Sequence, residues 1–142
     1  MTKNHIILCG LGKLGYFIVE ELLKRDEKVI IVEVNEGSRY TDHFRSLGAE
    51  VYIGDARSEQ VLSDVNISQS KALISVINND AVNIEIGIHA RALYPDMKLI
   101  LRIFDEDIAM EIKNVFNIQL ALSNSAIASK YFVDVMKENS DQ

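Results

Sequence analysis

Gly10-Leu11-Gly12-Lys13-Leu14-Gly15, set directly behind the apolar run Ile6-Ile7-Leu8-Cys9, leaves this chain few folds to choose from. A G-x-G-x-x-G segment that leaves a buried strand and opens a helix has the form of a dinucleotide-binding turn. Its first glycine permits the tight bend, the second lets backbone approach a pyrophosphate, and the third lets the helix pack on its strand. The N–H groups opening that helix, with the helix dipole, then supply an anion site. The alternative is a glycine turn that merely connects strand to helix, and the surrounding sequence decides between the two.

Residues 16–24 read as an amphipathic helix, and 28–32 as a second buried strand, which completes a βαβ unit of about 30 residues. Glu33 closes that strand roughly 20 residues past the glycines, where a carboxylate hydrogen-bonds a ribose hydroxyl. A 2′-phosphate would bring a second anion against Glu33, so NAD is favoured over NADP, with Arg39 softening the preference.

Strand and helix alternate through the rest of the chain, with one proline, Pro95, and no low-complexity linker. The pattern predicts a helix over 38–47 ending at Gly48, a strand over 50–53, and a short helix over 59–65. A strand over 72–76, a helix over 80–93 and a strand over 98–103 follow. The last elements are a helix over 107–116, a strand over 118–122 and a helix over 125–137. Continuous apolar strands separated by helices imply a parallel sheet covered on both faces. The expected architecture is α/β, a Rossmann-like doubly wound sheet, mostly or wholly parallel, of six strands in the order 3-2-1-4-5-6. One domain spans 1–137, and 138–142 is a polar tail. The ligand is expected beyond the strands' C-terminal ends, where the order reverses between strands one and four.

A length of 142 residues is one ordinary domain, able to bury a real core. The formal charge of −6 argues against nucleic acid as a partner, because phosphate binding needs a basic face. No apolar stretch approaches the about 20 residues needed to cross a bilayer, so no direct membrane insertion is expected, and the N-terminus lacks a signal peptide's apolar region. The single cysteine, Cys9, excludes an internal disulfide and reads as a small buried hydrophobe.

Several residues fall at the strand ends. Gly54-Asp55-Ala56 follows strand three: the small Gly54 and Ala56 admit an adenine face while Asp55 or local backbone reads its amino group, or the segment is a plain turn. Asn78 and Asn79 follow strand four, and Asn79 or Asp80 is alternatively the N-cap of the helix over 80–93. Arg102, near the end of strand five, needs an anionic or carbonyl partner, either a ligand phosphate or a carboxylate such as Asp105. Lys13 contacts phosphate or projects into water.

With these residues assembled, the chain resembles the nucleotide-binding N-terminal lobe of the RCK family, also called KTN or TrkA-N, which regulates potassium channels and transporters. The marks are Gly10-x-Gly12-x-x-Gly15, Glu33, Gly54-Asp55-Ala56, Asn79-Asp80-x-x-Asn83, the run Arg102-Ile103-Phe104-Asp105 and the closing segment 116–128. They span nearly the whole chain. The resemblance implies a ligand-gated regulatory module that binds NAD(H) foremost, or ATP, ADP or AMP. It also implies pairing into a homodimer and a larger ring beneath a membrane potassium channel or transporter subunit, hence a cytoplasmic place at the inner face of the membrane. Carried over by motif, the phosphates fall on Gly10, Gly12, Lys13, Leu14 and Gly15, the ribose on Glu33, and the adenine region on Asp55 and Ala56.

Departures from the family pattern are Lys13 for a common arginine, Glu33 for aspartate, Arg57 and Ile77 for threonine, and Asn79 for aspartate. The altered loop over 77–79 leaves a mononucleotide open beside a dinucleotide. The chain stops after its last helix, without the family's C-terminal ligand lobe, which points to an excised domain or to partners elsewhere. Ile84 with Ile88, and Ile108 with Ile112, are the expected pairing surface. The final helix, with Ile127, Tyr131, Phe132, Val135 and Met136, is expected to pack on its own domain.

The competing reading is an NAD(H)-dependent oxidoreductase fragment, since much chemistry on this fold is hydride transfer. Its tools are missing from the sequence: no substrate domain, no Tyr-x-x-x-Lys pair, and His5, His43 and His89 scattered too widely for a metal triad or a nucleophile and base. No catalytic residue and no metal ligand is therefore expected. A redox-sensing module of another regulator is the remaining alternative.

Overall fold

In a computed structural model of the chain, residues 1–116 and the strand at 120–121 are described. Six parallel strands form one sheet in the order β3-β2-β1-β4-β5-β6, the architecture expected from the alternation. The strands are β1 (Ile6–Cys9), β2 (Val29–Glu33), β3 (Glu50–Ile53), β4 (Ala72–Ser75), β5 (Lys98–Leu101) and β6 (Leu120–Ala121). The helices are α1 (Lys13–Lys24), α2 (Thr41–Ser46), α3 (Glu59–Asp64), α4 (Asp80–Leu93) and α5 (Glu106–Phe116). β1 pairs with both β2 and β4, in registers that set Cys9 beside Val32 and Ser75. The C-terminal ends of three strands therefore lie level, at the point where the strand order reverses.

Period-2 alternation splits β1 between two cores, which is why this strand is apolar at every position. Ile6 and Leu8 join Leu14, Ile18 and Leu22 of α1 and Phe44 of α2. Ile7 and Cys9 point the other way, with Leu62 of α3 and Ile86 and Ala90 of α4. Cys9 is fully buried, and burial pushes its thiol well above the ordinary range, as expected of a small hydrophobe that is not reactive. His5, the residue before β1, is buried too and hydrogen-bonds the Val65 carbonyl through Nε2.

Several elements depart from the sequence pattern for local reasons. α1 begins at Lys13, three residues before the expected start, so the second half of the glycine motif is already its first turn. α2 is shorter than the expected 38–47. The residues before it are held by turns, with the Asn35 side chain accepting from Gly37 N and the Asn35 carbonyl from Ser38 N. A 3-10 turn, Ile67–Gln69, precedes β4 and was not expected; it is entered through Asn66 at φ 57. β5 stops at Leu101 rather than 103, because the Arg102 carbonyl accepts from the Asn83 side chain instead of a neighbouring strand. The expected helix over 125–137 and the tail over 138–142 lie outside the described residues. Among the described residues no helix is long and apolar enough to cross a membrane.

Candidate functional site

The glycine turn is shaped by contacts within the chain at its two ends and is open at its middle. Gly10 has φ +100, a conformation side chains avoid, and a Cβ there would meet Ile77 at 2.8 Å. A Cβ on Gly15 would lie 2.0 Å from the Gly10 carbonyl oxygen, so the third glycine lets helix and turn touch. Gly12 differs from both: a Cβ there meets no atom within 4 Å. Its φ of −92 and ψ of −158 are ordinary extended backbone for any residue. The folded chain has no steric need of a glycine at position 12.

Gly12 is also the N-cap of α1, and this helix receives no side-chain cap and carries no acidic residue in its first turn. α3 and α4 are provided for otherwise: Ser58 accepts from Val61 N and Asn79 from Val82 N. The leading N–H groups of a helix lack intrahelical acceptors. At α1 they face a cavity of about 450 Å³ lined by Gly10 to Leu14, Val32 to Val34, Gly54, Ala56, Val76 to Asn78, and Arg102. It opens at the C-terminal ends of the central strands, at the expected reversal of strand order.

Glu33 forms one wall. Its Oε1 accepts from Leu11 N and its Oε2 from Asn35 N, both at 2.9 Å. The carboxylate thus ties the glycine turn to the loop after β2, and each oxygen keeps a lone pair for a hydroxyl. Gly54 and Ala56 line the same side. The cavity wall is negative at Glu33 and carries two cationic side chains, Lys13 and Arg102.

The opposite wall is organised by Asn83, which is fully buried on α4. Its Oδ1 accepts from Ser75 Oγ at 2.8 Å and Ile77 N at 3.0 Å, and its Nδ2 donates to the carbonyls of Ile77 and Arg102, both at 2.8 Å. One amide therefore holds the end of β4, the loop after it and the end of β5 in fixed relation. Asp80 adds a second tie, its carboxylate accepting from Phe104 N at 2.8 Å and Asp105 N at 3.1 Å. Sequence reasoning gave Asn83 no role beyond its place in a motif. The signal was a lone amide four residues after an N-cap, on the helix face that carries Ile86 and Ala90.

Of the expected site residues, Gly10, Gly12, Lys13, Leu14, Glu33, Ala56, Asn78 and Arg102 all line the one cavity, and Gly15 packs beneath it. Two do not reach it. The Asp55 carboxylate turns outward, where Arg57 donates to it from its backbone N, Nε and Nη2 at 2.7–3.1 Å. That contact, chiefly the side-chain hydrogen bond, holds the Asp55 carboxyl below its usual pKa. Asn79 is occupied as the N-cap of α4. Among the described residues Arg102 is paired neither with Asp105 nor with any other carboxylate; its guanidinium lies 4.2 Å over the Phe104 ring and its Nε is buried without a partner. Burial pulls its pKa below the usual arginine value, an effect the charge of Asp80 opposes.

The expected pairing residues divide in the same way. Ile88 and Ile108 are exposed, whereas Ile84 and Ile112 pack partly against the domain's own core. His43 stacks on Tyr16 and His89 sits 3.4 Å from Glu59. Among the described residues no three His, Cys, Asp or Glu side chains are grouped as metal ligands.

Comparison with known proteins gives one consistent result. The family model of the TrkA-N domain matches residues 6–123. Potassium channel protein 1 of Methanocaldococcus jannaschii is 32% identical over 100 residues, covering 70% of this chain and 30% of the channel protein. Among solved structures, the TrkA-N domain of the inner membrane protein ybaL from Escherichia coli superposes with a TM-score of 0.78 at 25% identity, covering 94% of this chain and 97% of that one. The GsuK channel bound to NAD aligns with a TM-score of 0.72 at 17% identity, over 85% of this chain and 21% of the channel, a likeness of fold. The chain spans a third or less of the length of the first curated relatives that it matches.

Proposed function

The chain belongs to the TrkA-N (RCK) domain family, and from that premise we propose that it is a non-catalytic regulatory domain. In this reading its cavity takes up NAD(H) or an adenine nucleotide and passes its occupancy to a potassium channel or transporter. The observation that carries the reading is the uncapped start of α1 beside Gly12, whose missing side chain serves nothing in the folded chain itself. Backbone amides at a helix start bind phosphate readily, and a glycine that packing does not require leaves room for one.

The remaining parts of a nucleotide find partners along the same cavity. Phosphates lie on the turn from Gly10 to Gly15 and near Lys13, and the ribose donates to Glu33. The adenine enters between Gly54 and Ala56, without Asp55. Asn78 and Arg102 face whatever extends past the phosphates. NAD in the GsuK channel supports a dinucleotide as one such occupant.

Regulation requires that the ligand bind one conformational state better than another. Glu33 and Asn83 tie the strand ends into a unit that such a ligand would grip from both sides. The output passes through a homodimer, or a ring of dimers, at the inner face of the membrane, with Ile88 and Ile108 offered to the second copy. The test is calorimetric titration of NADH, NAD, ATP, ADP and AMP into the purified chain, with sedimentation before and after. Selective binding to a dimer without turnover supports the proposal. Absence of binding by all five, or turnover of a small hydroxy acid or aldehyde with NAD, overturns it.

A further inference from the structure

We propose that Arg102 makes this cavity selective for a nucleotide ending in a second or third phosphate, a nucleoside di- or triphosphate, over a monophosphate or NAD. The proposal rests on the reading of the cavity as a nucleotide site, and it names the ligand class.

The position of Arg102 sets which part of a ligand it meets. Its backbone N donates to the Ser75 carbonyl, so it stands at the end of β5, two strands from β1 and hence about 10 Å from the glycine turn. Glu33 and Gly54 occupy the other flank, at the ends of β2 and β3. A ligand with its ribose on Glu33 and its first phosphate at the start of α1 must continue towards β4 and β5 to approach the side of the cavity on which Arg102 is rooted. A monophosphate ends short of it. The intervening wall, Val76 and Ile77, is apolar.

The side chain is prepared for an anion. Its backbone is pinned on both sides, by Ser75 and by the Asn83 amide. The Phe104 ring supports one face of the guanidinium at 4.2 Å, which leaves the in-plane N–H donors unobstructed by the stack. Nε is buried without a partner, and a buried donor in that state is costly unless something accepts from it. Asp80, whose two oxygens accept from the amides of Phe104 and Asp105, makes no hydrogen bond to that Nε. A terminal phosphate accepts in the fork geometry that arginine presents. NAD carries a second phosphate too, but as a diester with one negative charge and a bulky nicotinamide riboside attached, so it gives the arginine fork fewer charged oxygens than a free terminal phosphate.

Titration of ADP, AMP and NAD into wild type, Arg102→Gln, Arg102→Lys and Phe104→Leu tests this. Wild type is expected to bind ADP at least about tenfold tighter than AMP or NAD, the scale of a charge-assisted hydrogen bond. Arg102→Gln should bring ADP down to the affinity of AMP and leave AMP unchanged. Arg102→Lys keeps the charge without the fork and should fall between. Phe104→Leu should cost ADP about two- to fivefold, the scale of an exposed cation–π contact. The proposal is overturned, with the nucleotide site intact, if wild type prefers NAD or AMP, or if Arg102→Gln weakens ADP and AMP equally or not at all. If none of the three binds wild type, the nucleotide reading itself fails and this one with it.

Discussion

Replacing Gly12 with alanine adds a methyl group where the folded chain has room for it, so the substitution separates ligand binding from folding. At φ −92 and ψ −158 alanine is unstrained, and no atom lies within 4 Å of the new Cβ. Alanine is a poorer N-cap than glycine by up to about 1 kcal/mol. Against that, it restricts the unfolded chain, which returns about 0.4–1 kcal/mol. The net change in stability is within about 1 kcal/mol, or a shift in melting temperature of about 5 °C or less. The effect on a bound phosphate is larger, because a hydrogen bond to a charged group contributes about 1.5–3 kcal/mol. Displacing the phosphate from a single amide at the start of α1 therefore costs at least about tenfold in affinity. Thermal melting and calorimetric titration with ADP on the same sample measure both quantities. A folded Gly12→Ala protein with wild-type affinity would refute the placement of the phosphates.

Gly15→Ala should behave oppositely, since its Cβ would sit 2.0 Å from the Gly10 carbonyl; a loss of about 1–3 kcal/mol of stability by chemical denaturation is expected, as for other overpacked sites. Asn83→Ala leaves the amide of Ile77, the hydroxyl of Ser75 and two carbonyls without their buried partner and should cost about 2–4 kcal/mol by the same assay. Glu33→Ala should weaken ADP by about tenfold or more while changing the affinity for inorganic pyrophosphate by less than about threefold, because only ADP has a ribose to donate. For Asp55, held below its usual pKa by Arg57, the stabilisation is complete above the unfolded value of about 3.9 and lost as pH falls through the lower folded value. Asp55→Asn should therefore destabilise by less than about 1 kcal/mol at pH 7, the scale of an exposed pair, and the difference should vanish at the acid end of a pH series of melts.

How much was legible in the sequence follows from how local each signal is. β1, β3 and α4 were placed to the residue because apolar runs and an N-cap mark their ends within the chain's own neighbourhood. The start of α1 was missed because a glycine turn and the first turn of a helix look alike in sequence, and only the backbone of Gly12 separates them. α2 was read too long because the side chain of Asn35 and the backbone of 35–41 compete with the helix for the same hydrogen bonds. At the candidate site, the places of Gly10, Gly12 and Glu33 on the cavity wall were legible since a fixed spacing sets them. Asp55 and Asn79 were each open to two readings, as cavity residues or as turn and N-cap, and the local reading is the one seen, since their partners lie close by, Arg57 two residues on and Val82 N three residues on. Asn83 was illegible as an organiser because its partners come from β4, the following loop and the end of β5, which only the tertiary fold brings together.

The central claim is that the start of α1 and the end of β2 hold a nucleotide. It is tested most directly by following backbone amide resonances of the isotope-labelled chain during titration with ADP. The account predicts that the largest shifts fall on Gly10 to Leu14 and Asn35, with Ile77 and Asn78 next, and that the amides of Lys28 and Lys71, at the opposite ends of the strands, stay in place. Shifts concentrated at that opposite end, or none at saturating ADP, would contradict it.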